Sequence, residues 1–191
     1  MAAEVLRILP LTLEHWTAFA ELFGDGGACS RCWCMYWRIG PGYRRLAPDA
    51  NQTAFHAIVS GGPPPGLVAF SGDKAVGWCQ LTPRDELAWI NRGGKLGRAD
   101  DVRVWSISCF YIRKSQRRRG VTAALIDAAI CAARKAGARV LEAYPLDAEV
   151  TRSTSFTGYS STFRRAGFKV AGRRTTSQPI MRLELRPVPD E

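Results

Sequence analysis

Apolar and polar positions change period several times along the chain, and the changes mark its elements. Glu4 to Leu9 predicts a first strand, stopped by Pro10. Thr12 then stands as the N-cap of a helix in which Leu13, Trp16, Phe19, Ala20 and Phe23 recur at helical spacing, with Gly24, Gly26 and Gly27 ending it. A Trp- and Cys-rich segment, CSRCWCMYWR, follows. Asn51 to Ser60 predicts a second helix, with Ala54, Phe55 and Ile58 on one face and Gly61-Gly62 as its stop. GLVAFSGDKAVGWCQL reads as a hairpin about Ser71-Gly72-Asp73-Lys74, and the prolines at 63–65 lead into it. Residues 83–101, rich in Arg, Gly and Asp, read as one long loop, a length often tied to function in compact domains.

The second half is more regular. Val102 to Ile112, dense in β-branched and aromatic residues, predicts a strand. The turn SQRRRG follows it directly, and then a helix from Val121 to Ala136 that is apolar on nearly every side. Arg134 and Lys135 in its last turn complement the helix dipole, and Gly137 supplies the stop. Arg139 to Leu146 predicts a strand beyond it. Strand, turn, buried helix and strand make one βαβ unit, so its two strands are expected to be parallel and joined right-handedly. A short helix at Ser160 to Ala166 and two strands, 168–173 and 178–186, complete the pattern. The fold class is α/β with mixed pairing.

At 191 residues the chain fits one domain, 1–191, with a tail that frays from about 187. That length buries a substantial core without disulfides or metals. The formal charge of +10 attracts polyanions, whether nucleic acid, acidic membranes or phosphorylated cofactors. The arginines are spread widely, so one continuous groove is not implied. The N-terminus lacks the pattern of a signal peptide, and no run approaches the ~18 apolar residues of a membrane span. A cytoplasmic location is therefore expected, with the six cysteines as reduced thiols and no membrane contact.

The RRRG turn carries the most specific chemistry. A glycine turn between a strand and a helix presents unpaired backbone N–H groups to one point, and the helix dipole adds partial positive charge there. In isolation such a string reads as a solvated basic loop. Its place just before a buried helix in a βαβ unit favours a phosphate or pyrophosphate instead. Here the chain resembles the GCN5-related N-acetyltransferases, the GNAT superfamily. Arg117-Arg118-Arg119-Gly120-Val121-Thr122 matches that family's R/Q-x-x-G-x-G/A motif, except that Thr122 replaces the usual final Gly or Ala. STFRRAGFKVAGR resembles the family's motif B. The resemblance implies a mixed, mostly antiparallel sheet with a central parallel βαβ unit and helices on both faces. It also implies acetyl-CoA as co-substrate, with no metal. Phe110, Tyr111 and Ile112 would pair with pantetheine like an added strand, in a slot splayed between strands 105–112 and 139–146. Arg118, Arg119, Gly120, Val121, Thr122 and Ala123 would wrap the pyrophosphate, Arg117 would add long-range attraction for the cofactor, and a backbone N–H near Phe110 would stabilise the oxyanion.

Attack of an amine on a thioester needs a base, which can be a chain of waters, and a donor for the departing thiolate. Glu142 and Tyr144 share one face of the strand RVLEAYPL. Glu142 reads either as a base with a pKa raised by burial or as a structural ion pair with an arginine. Where the family often places an acidic Tyr, this chain has Phe163; Tyr159 and Tyr144 are the candidate substitutes. Cys29, Cys32 and Cys34 have metal-like density but lack a fourth ligand, so buried thiols are expected rather than zinc. Cys109 has no sequence reason to meet a His, so an acyl-cysteine route is not expected. By analogy with family members, Trp33, Tyr36 and Trp37 either line the acceptor site or belong to the core. The expected activity is transfer of acetyl to a primary amine, on a small molecule or a peptide, with a homodimer permitted by exposed edge strands. The rival readings are a basic nucleic-acid-binding module and an acyl-CoA sensor, both without turnover. No DNA-reading helix is recognisable.

Overall fold

The computed structural model describes residues 5–24, 31–47, 49–92, 100–147 and 156–185. Seven strands form one sheet: β1 (Leu6–Pro10), β2 (Gly66–Ser71), β3 (Lys74–Pro83), β4 (Trp105–Ile112), β5 (Val140–Ala143), β6 (Lys169–Thr175) and β7 (Gln178–Glu184), in the order β1-β2-β3-β4-β5-β7-β6. Every pairing is antiparallel except β4 with β5. That parallel pair is joined by α5 (Val121–Lys135), the crossover that the apolar run and its flanking strands predict.

Alternation along the strands separates the two faces. In β2, Leu67 and Ala69 point to one side, where they pack with Leu125, Ile126 and Ala129 of α5. Val68 and Phe70 point to the other, toward Phe19 and Phe23 of α1 (Trp16–Phe23) and Phe55 of α3 (Ala50–Gly61). Each face buries a separate apolar cluster, and a fully buried Leu or Phe contributes about 1.5–3 kcal/mol. Gly77 on β3 lets α5 come close. A Cβ there would stand 2.8 Å from Val121 Cγ1 and 3.2 Å from Leu125 Cδ1, so any side chain would push the start of α5 off the sheet.

Two local expectations are corrected. Thr12 makes no cap to the backbone. Its hydroxyl instead meets His15 Nδ1 at 3.2 Å, and a 3-10 turn, Leu13–His15, precedes α1. The stretch 83–101 is not one loop. Pro83 ends β3, Arg84–Glu86 form a 3-10 turn and α4 (Ala88–Asn91) follows, whereas 93–99 lie outside the described residues. Leu87 and Ile90 drive that ordering, because both are fully buried against Trp37, Tyr144 and Ile180. The Cys-rich segment runs into a helical turn, α2 (Tyr36–Ile39), and a 3-10 stretch, Gly40–Arg45, follows.

Two irregularities position the site. A bulge at Ser108 shifts the β3–β4 register between the pairs Leu81↔Ile107 and Gln80↔Cys109. Beyond it Phe110 and Ile112 join the α5 face, and Cys109 and Tyr111 the α1–α3 face. The β4–β5 pairing ends at Ile107↔Ala143, while β4 runs on to Ile112. The strands therefore part beside the bulge and leave a slot.

Candidate active site

On one side of the slot lies a cavity of about 510 Å³ at the start of α5. Gly120 is the N-cap, at φ +82°, and Ala124 N–H is the first to bond back, to Gly120 O at 3.0 Å. The N–H groups of Val121, Thr122 and Ala123 thus have no helical acceptor, as at the start of any α-helix. All three residues line the cavity with Phe110, Tyr111 and Ile112. Arg117 and Arg118 line it as well, and Arg165 adds a third guanidinium from α6 (Ser160–Arg165). Arg117 is tied back by an Nε–H bond to Ile112 O, 3.2 Å. Arg118 adopts a left-handed φ of +61°. No carboxylate lines the cavity among the described residues. A Cβ on Gly120 would meet no protein atom within 4 Å, so the backbone there opens on free space. The arrangement suits a pyrophosphate: convergent N–H donors, a helix dipole and only positive charge.

On the other side, a second cavity of about 300 Å³ is lined mainly by rings: Phe23, Tyr36, Trp37, Tyr43, Tyr111 and Phe156. Cys32, Cys34 and Cys109 contribute thiols, and Arg44 is its one charged residue among those described. Its wall is held by unusual backbone. Trp33 and Cys34 lie at φ +45° and +57°, a conformation that costs an ordinary side chain about 1–2 kcal/mol. Specific bonds hold that segment: Trp78 Nε1–H donates to Cys34 Sγ (3.0 Å) and Gln80 Nε2–H to Cys34 O (3.2 Å). Asn51 Nδ2 donates to Arg31 O and Tyr43 O, both at 2.9 Å. Burial pushes the Cys32 thiol up to about 11 and raises Cys34 and Cys79 as well, so all three stay protonated at neutral pH.

The two cavities share Phe110, Tyr111 and Phe156. Here the structure differs from the expectation of a free N–H near Phe110. Phe110 N–H donates to Phe156 O at 2.6 Å. From the other side, Leu146 N–H donates to Gly158 O (2.9 Å) and Ser160 N–H to Leu146 O (3.0 Å). Residues 156–159 therefore bridge the parted ends of β4 and β5 as a short strap. Asp147 fastens its far end, accepting from Ser160 Oγ at 2.5 Å and Arg173 Nη1 at 3.0 Å. The Ser160 bond, followed by Arg173, holds the Asp147 carboxyl below its usual range.

Glu142 is fully buried and lines neither cavity. Of its two sequence readings, the ion pair is present. Arg84 Nη1 reaches Oε1 at 2.5 Å and Arg182 Nε reaches Oε2 at 2.7 Å. Arg182 continues to Asp100 with contacts of 2.6 and 3.0 Å. That bond keeps Asp100 below its ordinary value and raises Arg182 further. Tyr144 donates to Glu142 Oε1 (2.6 Å) and its oxygen lies 2.9 Å from Ser106 Oγ. Burial, and next the charge of Glu142, raise its pKa well above that of a free phenol. The four charges alternate in sign and sum to zero, which is how a buried ionic group is tolerated.

Of the ten residues expected to bind cofactor, nine line the larger cavity; Arg119 is exposed and does not. Of the three catalytic candidates, Tyr159 alone lines a cavity, the larger one beside Gly120. Tyr36 and Trp37 line the aromatic cavity, whereas Trp33 is core, with ring centroids 6.0 Å from Trp16 and 5.4 Å from Phe23. Phe163 is fully buried against Phe110 and Phe168. Cys29 lies outside the described residues, and among those described no cluster of His, Cys, Asp or Glu is arranged to hold a metal. Sequence reasoning missed Tyr43, Arg44, Phe156 and Arg165. Arg165 carried a signal, since it sits in the motif-B string; the other three carried none.

No helix among the described residues is long and apolar enough to cross a membrane. No curated protein matches the sequence. Several solved structures share the fold. The GNAT domain of S. lividans PAT superposes with a TM-score of 0.58 at 17% identity, over 94% of this chain and 90% of that one. The PaiA N-acetyltransferase of Thermoplasma acidophilum, in complex with coenzyme A, gives 0.54 at 17%, over 94% and 99%. The protein yncA of Salmonella typhimurium, with acetyl-CoA, gives 0.56 at 16%, over 97% and 96%. At such identities the likeness is one of fold. Membership comes from the sequence itself: the profile of the Acetyltransferase (GNAT) family matches residues 31–156, roughly two thirds of the chain, including β4, the Gly120 turn and α5, and the chain belongs to that family.

Proposed function

We propose that the protein, acting as one domain in the cytoplasm, transfers the acetyl group of acetyl-CoA to a primary amine by direct attack. One observation carries the reading. A positively charged, N–H-lined cavity at the Gly120 turn meets an aromatic cavity at Phe110 and Tyr111, where two strands part. The first suits a pyrophosphate and the second a separate acceptor. The PaiA and yncA structures, with coenzyme A and acetyl-CoA, support the cofactor. Unpaired thiols at all five described cysteines support the cytoplasm.

In the reaction the amine lone pair attacks the thioester carbonyl carbon and the C–S bond breaks, its electron pair leaving on sulfur. The amine gives up one proton and the thiolate takes one, leaving an amide and a thiol. Neither cavity has a carboxylate or histidine among its described lining residues. We therefore assign the amine's proton to water and the thiolate's to Tyr159 or solvent, with the rate coming mainly from positioning. Glu142 and Tyr144 act through the scaffold, since Tyr144 lies under Trp37 with ring centroids 6.3 Å apart. The N–H of Phe110 becomes available to the thioester oxygen when Phe156 O releases it.

Calorimetric titration with acetyl-CoA, desphospho-CoA and a short DNA duplex at two salt concentrations tests the assignment. The expected result is saturable micromolar binding of acetyl-CoA, with DNA held only at low salt. Steeply salt-dependent DNA binding without acetyl-CoA binding would overturn it in favour of a nucleic-acid module. Acetyl-CoA binding with no thiol release for any amine would reduce it to a sensor.

A further inference from the structure

We propose that the aromatic cavity takes a primary amine carried on an aromatic body that also bears a carboxylate: an aromatic amino acid or a close analogue, and not a polycation. The proposal rests on the acetyltransferase reading and narrows its acceptor.

Charge gives the first reason. Among the described lining residues there is no Asp, Glu, Lys or His. An acceptor with several ammonium groups, such as a polyamine or an aminocyclitol, would bury positive charge with no counter-ion among the described lining residues, at high cost. The chain's formal charge of +10 repels such a molecule before it arrives. The acceptor amine must be neutral to attack, so a single amine pays this penalty least.

Arg44 gives the second. Its guanidinium is fixed on Tyr43: Nε–H donates to the phenol oxygen at 3.1 Å, and Cζ stands 5.5 Å from the ring centroid. Both Nη groups are left without a partner among the described residues. A guanidinium held by its Nε edge presents its two Nη donors as a fork, the geometry that takes a carboxylate bidentately. Arg44 is exposed, as a group at the mouth of the cavity is.

Shape gives the third. Tyr36 meets Trp37 edge-on (4.8 Å, 71°) and Tyr43 edge-on (6.2 Å, 89°), so the wall offers ring faces and edges at right angles. An apolar cavity of about 150 Å³ already admits benzene. The 300 Å³ here therefore takes one substituted ring with its amino acid end. With the carboxylate on Arg44, the amine is presented toward Phe110 and Tyr111, where the cavities meet. Gln178 gives its Nε2–H to Tyr144 O (3.2 Å) and keeps Oε1 for an amine N–H.

The test compares kcat/KM for L-tryptophan and L-phenylalanine with tryptamine and phenethylamine, spermidine and kanamycin, in wild type and Arg44→Met, with acetyl-CoA affinity measured on the same samples. The aromatic amino acids are expected to exceed their decarboxylated forms about tenfold, through KM, and the polycations more than a hundredfold. Arg44→Met should collapse the tenfold carboxylate preference while acetyl-CoA affinity holds. A polycation as best acceptor, or equal loss for every amine in Arg44→Met, overturns the proposal. So does failure of the CoA-saturated protein to bind L-tryptophan or L-phenylalanine calorimetrically. Failure to bind acetyl-CoA at all would instead overturn the acetyltransferase reading beneath it.

Discussion

The two cavities meet at three residues yet are built by opposite means. The Gly120 side takes two thirds of its lining from one continuous stretch, Phe110 to Ala123, which is a strand, a turn and the first turn of a helix, and the rest from residues 156–165. Its chemistry is backbone N–H groups and arginines. The aromatic side draws one to three residues each from α1, α2, the 3-10 stretch after it, β4, β7 and the strap. Its chemistry is rings and thiols, and its walls stand on contacts between residues far apart in sequence. A site made of local backbone changes little when distant side chains vary. One made of converging side chains can be remade for a new acceptor, so under the proposed function cofactor binding falls to the first and acceptor selectivity to the second.

The sharpest way to break this contrast is Glu142→Gln. The carboxylate stands between Arg84 and Arg182 beneath the aromatic cavity. Removing its charge takes away the carboxylate that both guanidinium groups share, and about 3 kcal/mol of stability should be lost, visible as a lower denaturation midpoint. The pH–rate profile of the surviving folded protein should match wild type. A shifted profile without a stability loss would make Glu142 the base and bring the chemistry into the scaffold.

Gly120→Val acts on the other half. At φ +82° a β-branched residue is strained by about 1–2 kcal/mol, but its Cβ meets no protein atom, so the fold survives. Acetyl-CoA affinity should fall about 100-fold, because the new side chain stands where the N–H groups of α5 converge. Unchanged affinity in calorimetry would remove the pyrophosphate from this turn.

These substitutions also mark how far the sequence could be read. Gly120, the arginines before it and the apolar helix after it lie within one window, so nine of the ten residues expected there line one cavity. The parallel β4–β5 pair was legible for the same reason. Arg84 was not: it sits in a stretch that looks like a polar loop, and its burial depends on Glu142, 58 residues away. Arg44 and Phe156 look like ordinary loop residues until the fold brings them to one cavity. Thr12 misled because a His three residues on offered its hydroxyl a better partner than the backbone.

Asp147 tests the fastening between the halves through pH. Its folded pKa is depressed, so its contribution is complete above the unfolded carboxyl value near 4 and is lost as pH falls through the lower folded value. Wild type should therefore lose stability as the pH drops below about 4. Asp147→Asn should flatten that part of the acid limb and lower the neutral-pH midpoint by about 2–4 °C, near 1 kcal/mol for a chain of this size. An unaltered acid limb would mean that the bonds to Ser160 and Arg173 do not hold the strap.

Phe156→Ala carries the smallest effect and separates the halves most finely, because it should act on them in opposite directions. The ring lines both cavities, and its backbone oxygen holds Phe110 N–H. The variant keeps that oxygen but trims a half-exposed side chain of the strap, at a residue that borders both cavities. The strap should therefore open more readily, and acetyl-CoA affinity should rise roughly threefold, a change of about 0.6 kcal/mol. The aromatic acceptor loses one wall of its cavity, worth about 0.5–1.5 kcal/mol, so its KM should rise by a similar or larger factor. Titration with acetyl-CoA and acceptor kinetics at saturating cofactor read the two effects separately. If both affinities fall together, Phe156 is a shared wall of one continuous site, and the division into two halves fails at the residue that joins them.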